Sequence, residues 1–379
     1  MQYLHTVKYL NKIMMHNGNV LEPALERLED EYGIKANLSP CGELLSLKYN
    51  QLDSPKTHPI VRECRGLVLD AKTLNPVCIQ FNRFFNYGES DDEINIDNMM
   101  VVEKHDGSLM SLYYHLGQWH CCTSGTPTAE TDVGDWQISF KDLFWQAFKG
   151  NKDLLKKDHT YTFELVAPHN KIVRDYSTPD LVLLGARKQF KELDAMACDA
   201  IAREHGFTRP EIYDLKDIDS IIESWKHLKP QEEGYVAVDY SQKDEFGNFT
   251  RCKIKNPAYV ALHRLKDSSC NSRRALLEVV LTGEMDEIIT YFPEYTKTIR
   301  DFENKVNTLI KEHDEFIAQA RDEGWPPQQI GPRAGQQGLI AGWVFTVING
   351  KALDTKDVIR QGIKSKGLKC FSRTLLKRW

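Results

Sequence analysis

The sequence has no apolar stretch long enough to cross a bilayer, and its N-terminal segment lacks the hydrophobic core and cleavage site of a secretion signal. We therefore expect a protein that does not associate with a membrane. The chain also has no excess of positive charge, because 49 basic and 54 acidic residues give a formal net charge of −5. Any contact with a polyanion would have to come from a local basic groove.

Paired cysteine motifs are also missing. The nine cysteines are an odd number, are spread irregularly and form no Cys-x-x-Cys pair. This usage is typical of reduced thiols in the cytosol. The neighbouring residues His120, Cys121 and Cys122 lack the spacing that a zinc site requires, so we expect no structural zinc there.

The length of 379 residues is sufficient for two domains, and the pattern of the sequence changes near residue 259. Before that point, short strand-like runs are separated by turn residues and by a few helical segments. This predicts an α+β domain, residues 1–258, with antiparallel sheets and helices packed outside them. The expected strands are 66–69, 76–79, 109–114, 160–167, 181–184 and 235–239, and the expected helices are 138–148, 191–205 and 218–227.

Residues 259–379 are predicted to form a mainly helical C-terminal domain. Apolar residues from Ile299 to Ile317 recur at steps of three and four, Gly324 follows as a C-cap, and segment 274–292 has a similar pattern. The proline- and glycine-rich stretch 324–342 is predicted to be a linker or loop, and a last helix is expected to begin near Asp354.

The end of the chain is basic, with no acidic residue after Asp357. Phe371 and Trp379 lie among the positive charges, as a stacking surface for nucleic acid would require. A solvated basic helix end explains the same pattern equally well. The basic residues are Arg360, Lys364, Lys366, Lys369, Arg373, Lys377 and Arg378.

Lys104 lies between an apolar strand-like run and an Asp-Gly turn, an arrangement that suits a covalent nucleophile. The ordinary pKa of lysine is about 10.4, so its amine attacks at neutral pH only when burial or nearby cations lower that pKa. We expect Lys253 and Lys255 to do so, and the side chains of Glu103 and Asp106 to turn away from the amine or bind metal. An ordinary surface turn is the alternative.

Two glutamates are candidate site residues. Glu164 interrupts an apolar strand, where a carboxylate is costly to bury unless it contacts a hydroxyl, a metal or a cation. Glu233 leads through a glycine into the next predicted strand, a position that could hold a divalent ion. A solvent-facing glutamate on an edge strand and a plain turn are the respective alternatives.

Four basic residues suggest a phosphate site. Alternation along a strand places Lys253 and Lys255 on one face, opposite Ile254, and two neighbouring ammonium groups repel each other unless an anion lies between them. Arg65 precedes a glycine and Arg83 lies beside two aromatic residues, so both suit phosphate clamping. Solubilising lysines on an edge strand and an arginine packed on core aromatics remain alternatives.

In order and spacing, these segments resemble the motifs of the covalent nucleotidyltransferases, and within them the phage RNA ligase 1 family of ATP-dependent RNA-sealing and tRNA-repair enzymes. The resemblance covers roughly residues 60–263 and implies a nucleotidyltransferase fold for the first domain. The matching segments are Glu63-Cys64-Arg65-Gly66, Asn82-Arg83-Phe84-Phe85-Asn86, Lys104-His105-Asp106-Gly107-Ser108, Phe163-Glu164-Leu165-Val166-Ala167-Pro168, Glu233-Gly234-Tyr235-Val236, Lys253-Ile254-Lys255 and Tyr259-Val260 with Leu262-His263.

The resemblance implies that Lys104 attacks the α-phosphate of ATP, giving lysyl-AMP and pyrophosphate. It implies that Glu164 contacts the ribose, that Glu233 supports the metal-assisted step, and that both glutamates bind Mg²⁺, for which Mn²⁺ can substitute. Phosphate contacts are implied for Lys253, Lys255, Arg65 and Arg83. Arg83 stands where the family often has lysine, which keeps the charge and changes its geometry. Ser124 stands near a position where the family tends to have a basic residue.

The function that the resemblance implies is the joining of RNA 5′-phosphate and 3′-hydroxyl ends, with nicked tRNA as one candidate substrate. We expect a monomer that acts in the cytoplasm, or in host cytoplasm if a phage encodes it. A DNA ligase or an mRNA capping guanylyltransferase shares the lysine chemistry, but both usually append an oligonucleotide-binding barrel. A non-catalytic RNA-binding protein that uses the basic tail is the alternative of another class.

Overall fold

A computed structural model describes residues 4–50, 54–89, 94–95, 98–134, 136–256, 259–260, 277, 279–281, 285, 289, 296–366, 371 and 375–376. The chain divides into two compact units, Met1–Tyr259 and Val260–Trp379. Among the described residues, no helix has both the length and the apolar content that a membrane span requires. The seven cysteines in the described part of the chain are unpaired, and all but Cys41 are buried.

Two helices that the sequence patterns did not predict open the first unit. Helix α1 spans His5–His16 and buries one face, and α2 spans Glu22–Tyr32. The second helix ends at Gly33, whose φ of +65° is the left-handed conformation that favours glycine after a helix. Both helices pack in one core with the first sheet.

The first sheet has four antiparallel strands in the order β1-β2-β3-β4. The register of this sheet changes at the start of β3. Leu47 lies opposite Leu67, but Lys48 lies opposite Arg65, so Gly66 is an extra residue. Gly66 has a φ of +96°, which a bulge of this kind requires. The strands are β1 Ile34–Leu38, β2 Leu44–Tyr49, β3 Arg65–Asp70 and β4 Pro76–Cys78, and the short helix α3, Pro59–Glu63, precedes β3.

Two five-stranded sheets complete the first unit. One has the order β11-β10-β9-β7-β8 and is antiparallel throughout, and the other has the order β12-β6-β13-β14-β5, in which only β14 and β5 run parallel. The predicted α+β class with antiparallel sheets is confirmed. The strands are β5 Phe85–Asn86, β6 Met99–Glu103, β7 Ser108–His115, β8 Gln118–Thr123, β9 His159–Val166, β10 Asp180–Lys188, β11 Lys191–Glu192, β12 Ile212–Tyr213, β13 Gly234–Lys243 and β14 Phe249–Lys255.

Three longer helices lie between these strands: α4 Phe140–Ala147, α5 Ala195–His205 and α6 Ile218–Ser224. The predicted helix 191–205 was wrong in its first part. Residues Lys191–Glu192 pair with β10 as a strand, and α5 begins only after Asp194, whose side chain accepts a hydrogen bond from the Ala197 backbone. An aspartate in this position caps a helix and so fixes where it starts.

The packing of β9 decides which side chains face the site. Phe163 and Leu165 are fully buried in the core shared with α4 and α5. Alternation along the strand turns Glu164 to the opposite face, as predicted. The same alternation on β14 buries Ile254 and directs Lys253 and Lys255 away from it.

The described part of the second unit is helical. Its helices are α7 Thr296–Asp322, α8 Pro327–Gln336, α9 Ala341–Ile348 and α10 Thr355–Lys366. The helices predicted around 299–317 and after Asp354 are confirmed. The prediction of a loop over 324–342 was wrong for residues 327–336 and 341–342, which are helical. Pro327 occupies the first turn of α8, where a helix tolerates proline, and Pro332 lies inside the same helix.

The basic tail falls mostly outside the described residues, as do Trp379 and most of segment 274–292. Phe371 is described and is buried, with its ring 5.8 Å from that of Trp343 and nearly parallel to it. It therefore packs in the core of the second unit and is not an exposed stacking platform, which corrects the expectation for this residue.

Candidate active site

Lys104 follows directly after β6, beside the start of β13. Its backbone N–H donates to the carbonyl of Gly234 at 2.9 Å, which extends the pairing of the two strands by one residue. A side chain at Gly234 would collide with the backbone of β14, since an added Cβ would lie 2.4 Å from the carbonyl oxygen of Ile254. The glycine thus allows three strand ends to meet at Lys104.

The amine of Lys104 is bound by a carboxylate. Lys104 Nζ lies 2.7 Å from Glu233 Oε2, and Lys255 Nζ lies 2.8 Å from Glu233 Oε1. Glu233 is only 6% exposed, so neither ion pair is well screened by water. Three of the predicted site residues therefore form one charged chain.

The expected lowering of the Lys104 pKa is wrong for this state of the protein. Burial and Arg65 act in the expected direction, but the negative charges of Glu233 and Glu164 outweigh them and raise the pKa above its ordinary value. The cations that were expected to favour the neutral amine are themselves partly neutralised, because Lys255 binds the same carboxylate as Lys104. Burial alone would raise the pKa of Glu233. The positive charges of Lys104 and Lys255 outweigh this effect and hold the pKa below its usual range.

The Asp-Gly turn after Lys104 is held from both sides. Asp106 is buried; its Oδ2 accepts from the backbone N–H groups of Val173 and Arg174, and its Oδ1 accepts from the Tyr259 hydroxyl at 2.6 Å. Glu103 bonds to Arg174. Among the described residues, neither acid pairs with the Lys104 amine, in agreement with the expectation that they do not bind it.

Glu164 faces the same space as Lys104. Burial raises its pKa to about 7, against the lowering effect of the Lys104 charge. Within the described ranges, no hydrogen bond or ion pair of its carboxylate is found. A half-buried carboxyl group without a protein partner is a candidate for contact with a hydroxyl or a cation of a ligand.

Lys253 and Arg65 flank one aromatic ring. Lys253 Nζ lies 4.8 Å and the Arg65 guanidinium carbon 5.3 Å from the centre of the Phe84 ring. Burial, Arg65 and Lys104 lower the pKa of Lys253 to about 7. Burial also lowers the pKa of Arg65, whose Nη1 is buried without a hydrogen-bond partner. These groups are arranged to receive an anion.

Two adjoining cavities share Arg65, Leu109 and Lys253. The first, which we call the Lys104 cavity, is lined by Lys104 and Glu164 and by apolar side chains, among them Phe84, Val102, Leu184 and Val236. An apolar cavity with a few polar groups is typical of small-molecule sites.

The second cavity, which we call the basic cavity, contains six positively charged side chains: Lys48, Lys56, Arg65, Arg83, Lys253 and Lys255. Glu89 also lines it and binds Arg83, which in addition donates to the Tyr49 hydroxyl at 3.0 Å. Arg83 therefore belongs to the basic cavity and does not line the Lys104 cavity. Such a concentration of cations is suited to a polyphosphate.

Lys48, Tyr49 and Lys56 were not predicted as site residues. Lys48 and Tyr49 lie on β2, which reaches the other site residues through its pairing with β3, and Lys56 lies between β2 and α3. The one available signal was the Ser46-Leu47-Lys48 alternation, which places a lysine at the exposed end of an apolar strand.

A divalent metal fits this site only in part. The described residues contain no group of three or more His, Cys, Asp or Glu side chains that could hold a metal ion. Glu164 is free to bind one, whereas both oxygens of Glu233 are occupied by lysines. Mg²⁺ is commonly held by one or two carboxylates together with substrate phosphates, so the donor set suits a metal that arrives with a nucleotide.

The chain is similar in sequence to two proteins that are named as RNA ligases. The chain is 28% identical over 323 residues, 79% of its own length and 45% of the relative, to the "Putative bifunctional polynucleotide kinase/RNA ligase" of Autographa californica nuclear polyhedrosis virus. It therefore spans less than half of that relative. It is 24% identical to the RNA ligase of Rhodothermus phage RM378, over 69% of this chain and 75% of the relative.

Among solved structures, an archaeal ATP-dependent RNA ligase has a TM-score of 0.46 and 12% identity, with 78% of each chain covered. A family model described as RNA ligase, of the phage RNA ligase 1 type, matches residues 63–259, which is more than half of the chain and includes Arg65, Lys104, Glu164, Glu233 and Lys253. The chain therefore belongs to the phage RNA ligase 1 family of RNA ligases.

Proposed function

We propose that this protein is an ATP-dependent RNA ligase that joins RNA 5′-phosphate and 3′-hydroxyl ends through a lysyl-AMP intermediate on Lys104. The observation that carries the proposal is the placement of this amine in a largely apolar cavity that adjoins the basic cavity. We expect the nucleoside of ATP to bind in the first and its polyphosphate in the second, which would bring the α-phosphate near the amine.

In the first step, Lys104 Nζ forms a bond to the α-phosphorus while the bond between that phosphorus and the bridging oxygen breaks. The electron pair leaves with pyrophosphate. The amine loses one proton before the attack and a second after the nitrogen–phosphorus bond has formed. The first proton would leave to water, because Glu233 Oε2, at 2.7 Å, stabilises the ammonium form and the pKa of this carboxyl group is held below its usual range.

The leaving group carries most of the negative charge, and its stabilisation determines how fast the step proceeds. Arg65, Lys253 and Lys255 would bind the phosphates, with Arg83 further into the basic cavity. Glu164 would accept a hydrogen bond from the ribose. When bound, Mg²⁺ or Mn²⁺ would neutralise phosphate charge, held by Glu164 and, once one lysine releases it, by Glu233.

The adenylate would then pass to an RNA 5′-phosphate, and the adjoining 3′-hydroxyl would displace AMP. A repair role is supported by the viral relative, whose name combines an RNA ligase with a polynucleotide kinase, an activity that supplies 5′-phosphates. We propose RNA repair, with nicked tRNA as a candidate substrate, by a monomer in the cytoplasm of the organism or of its host.

The first test is to incubate the protein with Mg²⁺ and ATP labelled at the α-phosphate. We expect an acid-labile, labelled protein in the wild type and none in Lys104→Ala. Lys72→Ala is the matched control, because Lys72 is exposed on a turn away from both cavities. No adduct with ATP or GTP would refute the proposal and favour a non-catalytic RNA-binding protein.

The second test identifies the substrate. A labelled adduct from GTP alone would indicate a capping enzyme, and sealing of nicked DNA in preference to RNA would indicate a DNA ligase. The helical character of the described part of the second unit favours neither, because both usually have an oligonucleotide-binding barrel after this domain. A nicked anticodon stem-loop that is sealed faster than unstructured single strands would support tRNA repair.

A further inference from the structure

The basic cavity contains a lysine that no recognised motif includes. Lys48 lies near the end of β2, and it lines this cavity together with Arg65, Ser124 and Lys253. Its side chain is exposed, and within the described ranges it forms no ion pair. An exposed lysine without a partner is ordinary on a surface, so its place among other cations needs a physical reason.

The bulge at Gly66 determines where Lys48 points. Without the extra residue, Lys48 would lie opposite Gly66, but the changed register places it opposite Arg65. Residues directly opposite each other in an antiparallel pair share one face, so both side chains leave the sheet from the face that lines the basic cavity. Lys35 lies opposite Lys48 on the other neighbouring strand. Like charges in this arrangement are destabilising unless an anion lies among them.

The loop after β8 closes around the same lysine. Lys48 Nζ lies 3.5 Å from the position that a Cβ would take at Gly125, next to Ser124. The carbonyl of Gly125 accepts hydrogen bonds from Asn37 and Ser46, which fix this loop against β1 and β2. The first sheet and the β8 loop are therefore held together at the point where Lys48 enters the cavity.

We propose that Lys48 binds the β- and γ-phosphates of ATP during adenylylation, and the pyrophosphate that leaves. The inference rests on the proposed function and adds a residue to its phosphate site. The positive charge of Lys48 enters the cavity from β2, opposite Arg65. Ser124, on the adjoining loop after β8, is neutral. Because pyrophosphate departs before RNA is adenylated, Lys48 would act in the first step and in its reversal, and not in the final sealing step.

The test compares Lys48→Ala and Lys48→Met, which retains the apolar stem, with Lys72→Ala. We expect both Lys48 variants to lower single-turnover adenylylation at subsaturating ATP by about tenfold, and to raise the pyrophosphate concentration needed to discharge the adenylated enzyme by a similar factor. Sealing of RNA that already carries a 5′-adenylate should remain near the wild-type rate, which a general loss of structure would not permit.

A charge relocation provides the complementary measurement. In Lys48→Ala with Ser124→Lys, the second substitution returns a cation to the same cavity from the adjoining loop after β8, so we expect most of the loss in adenylylation and pyrophosphate use to be recovered. Thermal unfolding of each variant would show whether it is folded.

The outcomes separate this inference from the proposed function. A wild type that forms no adduct refutes the proposed function itself. If the wild type is adenylylated and both Lys48 variants behave like Lys72→Ala, the role of Lys48 is refuted and the enzyme stands. A loss confined to sealing of pre-adenylated RNA, or equal in all steps, also refutes it and would indicate an RNA contact or a structural role.

Discussion

Lys104 and Glu233 are 129 positions apart in the chain, and their charged atoms lie 2.7 Å apart in the site. The pair joins the residue after β6 to the residue before β13, and Lys255 completes it from β14. The resting site therefore stores its nucleophile as an ammonium ion bound to a buried carboxylate, and adenylylation must begin with the loss of a proton.

Adenylylation should accelerate as the pH rises above neutrality, because Glu233 and Glu164 raise the pKa of Lys104 and only the neutral amine attacks. Glu233→Gln removes the negative charge that raises the Lys104 pKa most, while burial and Arg65 still lower this pKa. The pH profile of single-turnover adenylylation should therefore move to lower pH, even if its maximum is reduced.

Glu103→Gln is the control for this measurement, since Glu103 is next to Lys104 in sequence but binds Arg174. Its profile should keep the wild-type midpoint. A Glu233→Gln profile that moves to higher pH, or does not move, would contradict the ion pair as the source of the raised pKa.

Stability should depend on the protonation of Lys253. Its pKa is about 7 in the folded protein, against an ordinary 10.5, so the unfolded chain binds more protons between these values. The free energy of unfolding without ligand should therefore increase as the pH rises from about 7 towards 10.5, and lose this contribution as the pH falls to 7. The free energy of unfolding, measured with urea, should increase less with pH in Lys253→Met than in the wild type. In Lys72→Met it should increase as in the wild type.

Glu164 should determine discrimination between sugars. Its half-buried carboxyl group has no protein partner in the described part of the chain, and a ribose hydroxyl would provide one. We expect Glu164→Ala to weaken ATP use by about tenfold and to reduce the preference for ATP over its 2′-deoxy or 3′-deoxy analogue. The readout is the adenylylation rate with each nucleotide. An unchanged preference for both analogues would exclude the ribose contact.

The parts of the site that could be predicted follow local rules. Strand alternation places Glu164 opposite Phe163 and Leu165, and the same period separates Lys253 from Ile254. Asp194 is a local signal of the same kind, because a capping aspartate sets the start of α5 and so separates this helix from β11.

The parts that could not be predicted depend on tertiary pairing. The pKa of Lys104 is raised because one carboxylate lies nearer than the cations, and no sequence period reports which of several charges comes closest. Lys48 joins the basic cavity only because Gly66 shifts the register between two strands.

Gly107 should not tolerate a side chain. A Cβ at this position would lie 2.4 Å from the carbonyl oxygen of Leu165, a backbone atom in the middle of a paired sheet, so β7 and β9 would have to separate. We expect Gly107→Ala to lower the free energy of unfolding by about 1–3 kcal/mol, the usual range for overpacking, and to slow adenylylation by moving Lys104 relative to Glu164.

Gly335→Ala is the matched control, because that position has open space and lies inside a helix, where alanine is favoured. Urea unfolding and single-turnover adenylylation would be measured on both variants. A Gly107→Ala protein as stable and as fast as Gly335→Ala would show that β9 does not pack against the turn after Lys104 as closely as described.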